Sequence, residues 1–241
     1  MSHNEQKTFY KYKSLDNFEF LLDILLRERL FASQFSELND PMEGVIEVER
    51  TVPRELAKEW EAILSNLRIC CFTPDNENAL MWAHYADGGR GCMIEFVLHD
   101  DYKPIKVSYA KKPILCKSQL TTEQAIKILQ YKDKSWKYER EYRCITSDVF
   151  VPITVKGITF GPRVPKSTVE LLQGILSCCK PNLRVFQNKG NGDTVFSTIP
   201  VSIGANKIFI RNQEGNDDCE ECLKMERYRS ALLGNRDKTE I

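Results

Sequence analysis

The stretch from Cys70 to Phe96 holds the highest density of side chains able to do chemistry. Cys70, Cys71, Trp82, His84, Tyr85, Asp87, Arg90 and Cys92 stand there between apolar runs. His84 could act as an acid, a base or a phosphate contact, because an imidazole titrates near neutral pH. The plainer alternative is a histidine hydrogen-bonded beneath a packed Trp82, since large aromatics mostly serve the core. Gly88-Gly89-Arg90-Gly91 could turn backbone N–H groups toward an anion, with Arg90 alongside. It matches neither the P-loop nor the dinucleotide-binding pattern, and a simple turn accounts for it. On a helix over 79–86, Met81 and Tyr85 share a face while Trp82 and His84 point elsewhere, so one helix cannot bury them all.

A second group follows in Trp136-Lys137-Tyr138-Glu139-Arg140-Glu141-Tyr142-Arg143. On a strand, residues two apart point the same way, which sets Glu139, Glu141 and Arg143 in one row. Tyr138, Arg140, Tyr142 and Cys144 then line the other side. A carboxylate pair of this kind can bind a ribose hydroxyl, or stabilise an oxocarbenium-like cation as a glycosidic bond breaks. The alternative is a solvated strand face with cross-strand ion pairs. A third group is Asn39-Asp40-Pro41. Asp40 could orient a basic partner across the site, or only build the turn through its own side-chain hydrogen bonds.

The elements that must position these groups can be read from periodicity and punctuation. Phe9 to Lys13 alternates and is aromatic, as a strand does. Ser14 is an N-cap for a helix whose apolar face is Phe18, Leu21, Leu22 and Leu25. Arg29 to Ser33 is expected as a strand, and Pro53 at the start of a helix carrying Leu56, Trp60, Ile63 and Leu64. Then come a strand over 69–72, a loop over 74–78, the short helix over 79–86, a glycine turn, and strands over 92–98 and 105–109. Thr121-x-x-Gln124 and Ser167-Thr168-Val169-Glu170 look like capping boxes opening two helices. The run 135–146 alternates and leads into a strand. A strand pair is expected over 151–160, and later strands over 184–187 and 195–199. The whole predicts one α+β domain over residues 1–213, with a mixed or mostly antiparallel sheet and flanking helices, and a charged helical or flexible tail over 214–241.

Composition limits the function classes. The chain has 241 residues and 34 basic against 34 acidic side chains, so no global charge draws it to nucleic acid or an anionic membrane. No run approaches the roughly 18–20 apolar residues of a membrane span, and the polar start Met1 to Lys7 lacks a signal-peptide core, so a cytoplasmic protein with no membrane partner is expected. Nine cysteines with the adjacent pairs Cys70-Cys71 and Cys178-Cys179 suit reduced thiols better than a disulfide framework. Cys219-Glu-Glu-Cys222 lacks the second pair that a zinc site needs, so no metal is expected.

Three groups of residues, in this order, carry a family resemblance. They are Tyr10 to Leu15 with Arg29 to Glu43, then Cys71 to Thr73 with Leu80 to Ala86 and Gly91 to Phe96, and last Trp136 to Arg143. Together they resemble the bacterial family named domain of unknown function 2971, over roughly residues 9 to 165, which implies a bacterial origin and a shared fold. More distantly, the aromatic-basic-aromatic opening strand followed by a helix and a short strand is similar to the start of ADP-ribosyltransferase toxin domains. Those domains split NAD at its nicotinamide bond and use a late glutamate in an E-x-E tripeptide, which Glu139-Arg140-Glu141 matches. Cys71-Phe72-Thr73 is a loose counterpart of their Ser-Thr-Ser element, and Lys11 or Lys13 stands in place of the arginine or histidine usual at their first basic position.

The second resemblance implies NAD as substrate, no metal, and a role as an effector in defence or toxin systems. Glu141 would stabilise the ribosyl cation and Glu139 would activate an acceptor. Lys11 or Lys13 would contact the pyrophosphate, and Tyr12, Trp82 or Tyr85 would stack on a ring. The rival expectation is a module that binds a nucleotide or a nucleic-acid end without turnover, through Arg90, Arg140, Arg143 and nearby aromatics. A third is that Trp82, Tyr85 and Trp136 are core and the charges surface.

Overall fold

The computed structural model describes residues 6–40, 47–48, 54–110, 114–115, 121–189 and 197–200. Pro41, Pro53, the Cys219/Cys222 pair and the tail over 214–241 lie outside these residues.

The elements run in the order β1 (Thr8–Lys13), α1 (Phe18–Arg27), β2 (Arg29–Phe31), β3 (Ser33–Gln34), β4 (Glu47–Val48), α2 (Arg54–Ser65), β5 (Arg68–Phe72) and α3 (Ala79–Tyr85). There follow β6 (Cys92–Leu98), β7 (Ile105–Lys106), β8 (Ile114–Leu115), α4 (Thr122–Ile128), a 3-10 helix (Lys134–Glu139), β9 (Tyr142–Thr146), β10 (Phe150–Phe160), α5 (Lys166–Cys179), β11 (Arg184–Lys189) and β12 (Ser197–Pro200). No helix among the described residues is long and apolar enough to cross a membrane.

The strands form a mixed, mostly antiparallel arrangement flanked by helices, a single-domain α+β fold. The larger sheet has the order β1-β6-β10-β11-β12, with β2 also on β10; among its described residues β10 and β11 pair in parallel and the other pairs are antiparallel, and β4 pairs with β8 in a separate parallel pair. A second antiparallel sheet runs β3-β5-β9-β7. The two meet where Tyr10 and Thr73 exchange backbone hydrogen bonds of 2.7 and 3.0 Å. The expected strand over 29–33 divides at buried Ala32: β2 joins one sheet and β3 the other, so this short segment stitches the sheets together.

Three apolar clusters hold these layers. Leu21 and Leu25 of α1 and Leu172 and Leu176 of α5 pack on Phe9, Ile94, Phe96 and Ile158 of the larger sheet. Trp60, Leu64 and Ile128 cover Ile69 of β5. Tyr12, Met81, Trp82 and Met93 join α3 to the β1–β6 pair. The strand β1 therefore has partners on both faces, Phe9 in the first cluster and Tyr12 in the third, and this pins it at the seam.

Several local expectations are corrected. The segment 150–160 is one eleven-residue strand rather than a pair, because β2 takes its first residues and β6 the rest. The helix after Val164 begins at Lys166 with Pro165 at the cap position and no side-chain cap, so Ser167 lies inside it. Proline's fixed φ starts that helix without a capping oxygen. Asn17, not Ser14, precedes α1. The capping box at Thr121 and Gln124 is present, with reciprocal bonds of 3.2 and 2.8 Å.

Candidate active site

The segment carrying Glu139 and Glu141 turns more sharply than the alternation predicts. The Asp133 carboxylate accepts from the Ser135 N–H at 2.9 Å and opens the 3-10 helix that ends at Glu139. Arg140 then adopts a left-handed conformation, φ 49°, and the chain enters β9. Glu139 and Glu141 thus meet across a chain reversal, whereas Glu141 and Arg143 share a side as strand neighbours should. The solvated face is overturned: Glu139, Glu141 and Arg143 are all buried.

Other elements bring the partners. Asn78 caps α3, its Oδ1 accepting from Leu80 and Met81 N–H at 3.0 and 3.4 Å, and its amide donates to the Tyr138 carbonyl at 2.6 Å. This fixes α3 against the 3-10 helix, and the Tyr85 hydroxyl at the far end of α3 donates to Glu139 Oε1. After α4, the Lys132 N–H donates to the Ser108 carbonyl, which directs this buried lysine inward. Its ammonium donates to Glu139 Oε2 at 2.6 Å and to Glu141 Oε2 at 2.8 Å. One ammonium bonded to both carboxylates holds them within about 5.5 Å, a separation at which a carboxyl pair can act together on one glycosidic bond. Arg143 donates to Glu141 Oε1 at 2.7 Å and to the Leu129 carbonyl at 2.6 Å, and the Tyr109 hydroxyl accepts from the Glu141 N–H at 2.8 Å.

These contacts give the two glutamates different protonation behaviour. Burial pushes Glu139 up, and Lys132 and the Tyr85 hydroxyl only partly offset it, so its carboxyl titrates above the ordinary range. Burial also acts on Glu141, but Arg143 and Lys132 together outweigh it and hold the carboxyl down at about 2. Two adjacent carboxyls whose environments drive their proton affinities apart are the pattern of an acid–base pair. Burial raises the Tyr85 phenol, with the Glu139 hydrogen bond adding to it, and burial raises the Cys71 thiol, next to Glu141.

The pair lies in the wall of a pocket of about 220 Å³ at the seam between the sheets. Lys11, Tyr12, Tyr85, Glu139 and Glu141 line it, joined by Lys132, Cys71, Thr73, Asn39 and Phe31. Lys11 Nζ donates to the Cys71 carbonyl at 2.7 Å.

The remaining sequence candidates stand outside the pocket lining. Arg143 lies behind Glu141 and is fully buried. Trp82 packs edge-on against Tyr12, ring centres 5.2 Å apart, and is core. His84 is exposed and stacks at 5.8 Å on Tyr138. Arg90 is 59% exposed and pairs with Asp87. Asp40 is buried one residue beyond pocket-lining Asn39. Lys13 sits beside Phe20, its proton affinity lowered by burial and then by Lys11.

The glycine turn is no anion cradle. The N–H groups of Gly89 and Gly91 bond to the Ala86 carbonyl and that of Arg90 to Asp87. Gly91 is required for closeness, since a Cβ there would meet the Lys13 carbonyl oxygen at 2.2 Å.

Sequence reasoning missed Lys132 and Tyr109, and it singled out Asp40 in a group whose Asn39 is the residue that lines the pocket. Lys132 sits between Tyr131 and Asp133 in a connection with no periodicity, so no pattern marks it. Among the described residues no group of three or more His, Cys, Asp or Glu is placed to hold a metal ion. No family model, curated protein or solved structure matches the chain.

Proposed function

We propose that this pocket breaks the N-glycosidic bond of a nicotinamide nucleotide, with NAD as the candidate substrate, and passes the ribosyl group to an acceptor. The observation that carries the reading is the buried carboxyl pair with divided proton affinities in the wall of an aromatic-lined pocket. As the C–N bond breaks, its electron pair leaves with nicotinamide and positive charge develops on the ribose. Glu141, ionised throughout the physiological range, faces that charge. The acceptor's O–H or N–H attacks the anomeric carbon and its proton passes to Glu139, whose raised affinity brings it nearer the operating pH of a general base. A volume of about 220 Å³ is below the roughly 300–1,000 Å³ of sites that enclose a drug-sized ligand. The nicotinamide riboside portion would therefore fill the pocket, with the rest of the dinucleotide on its open side. Lys11 spends one donor on Cys71 and has two more for a phosphate.

One observation favours a second reading. The two carboxylates face two buried cations, Lys132 and Arg143, and such a balanced cluster suits a pocket that holds a nucleotide without turnover. Incubation of purified protein with NAD, with and without bacterial lysate as a source of acceptors, separates the two. Nicotinamide release by the wild type supports the enzyme. Saturable NAD binding with no release under any condition supports the binding module.

A further inference from the structure

The cations around the two glutamates are distributed unequally. Glu141 is met by Arg143 from β9, by Lys132 from the segment after α4, and by the Cys71 thiol from β5. Glu139 is met by the neutral Tyr85 hydroxyl from α3 and by Lys132, with Tyr138 beside it on its own element and Tyr109 beyond Glu141. Among the described residues Lys132 is thus the cation bonded to Glu139, while Glu141 has a second. The Lys132 ammonium is buried and lies 5.0 Å from the centre of the Trp136 ring, which limits its movement out of the cluster.

We infer that Lys132 is the positioning residue of the carboxyl pair: bonded to both, it is the cation that lets Glu139 give up a proton, while Arg143 keeps Glu141 ionised. The inference deepens the glycosyl-transfer reading and rests on it for its role in a reaction. Lys132 need not touch the substrate. With it in place, the Lys132 ammonium offsets part of the upward push of burial on Glu139. Without it, Glu139 faces Glu141 across a desolvated gap and keeps its proton, so no base remains for the acceptor.

The test is a carboxyl-carbon NMR titration of Glu139 and Glu141 in the wild type, in Lys132→Met and in Lys132→Arg. The Glu139 midpoint should rise in Lys132→Met by about one to three pH units, as loss of an adjacent opposite charge requires. Glu141, still held by Arg143, should move less, and Lys132→Arg should bring Glu139 back toward the wild-type midpoint. In ribosyl transfer, the acidic limb of the rate profile should follow Glu139 upward, which a merely structural role would not produce. An unmoved Glu139 midpoint, or equal shifts of both glutamates, overturns the inference. Should Lys132→Met not fold, the wild type still decides: the Lys132 Nζ resonance must shift at the Glu139 midpoint, and its failure to do so overturns the inference. Absence of NAD cleavage by the wild type would overturn the glycosyl-transfer reading instead, a separate result from these titrations.

Discussion

Glu141→Gln and Glu139→Gln should change the pH dependence of stability in opposite directions. The folded protein holds Glu141 at about 2 against an ordinary 4.5. At about 1.4 kcal/mol per unit, ionised Glu141 contributes about 3 kcal/mol to folding. Because the folded value is depressed, that contribution is present above 4.5 and is lost as pH falls through about 2. Glutamine keeps the shape but cannot ionise. The stability gap between wild type and Glu141→Gln should therefore be about 3 kcal/mol at pH 7 and shrink steadily below pH 4.5. Glu139 is raised, so its contribution is present below 4.5 and is lost as pH climbs through its folded value. Relative to wild type, Glu139→Gln should gain stability with rising pH. Urea unfolding followed by the fluorescence of Trp60, Trp82 and Trp136 at several pH values reads both curves. A Glu141→Gln gap of constant size from pH 7 to pH 2 would refute the electrostatic account of the cluster.

Two further substitutions probe the frame around the pair. Arg143→Met leaves Glu141 buried with one cation fewer and abandons the Leu129 carbonyl, so thermal or urea denaturation should show a loss of about 3–5 kcal/mol. Gly91→Ala places a Cβ 2.2 Å from the Lys13 carbonyl oxygen and 2.8 Å from the Ala86 Cα, both backbone atoms that cannot swing aside. It should cost at least about 1–3 kcal/mol in the same assay, as overpacking does, and an unchanged midpoint would show that β1 and the turn are not held in contact.

Much of the frame was legible because it rests on local patterns. Apolar spacing at Leu21, Leu22 and Leu25 marked α1, the run Cys92 to Leu98 marked β6, and the Thr121/Gln124 box marked α4. What failed depended on tertiary context. Nothing local shows that Ala32 is where the chain passes from one sheet to the other, or that β10 continues through the point where it changes partners. At the site, the acidic pair and Arg143 were visible as a cluster of types, and the two-residue spacing of Glu141 and Arg143 survived as geometry. The left-handed Arg140 that folds Glu139 back was not visible, because a single residue of positive φ outside glycine leaves little mark on a sequence. Lys132 was hidden for a different reason: its role comes from a parallel bridge between Ser108 and Tyr131, a contact across the chain with no periodic signal. The prominence of His84 and Arg90 came from residue type alone, and their exposure places them away from the pocket wall.

The central claim is that Glu141 meets the charge on the sugar while Glu139 handles the acceptor's proton. Nicotinamide release and ribosyl transfer from labelled NAD to lysate acceptors, measured side by side for wild type, Glu141→Gln and Glu139→Gln, test it most directly. The account predicts that both activities vanish in Glu141→Gln, and that Glu139→Gln loses transfer more than release, with all three proteins folded. Full release and transfer by folded Glu141→Gln would contradict it.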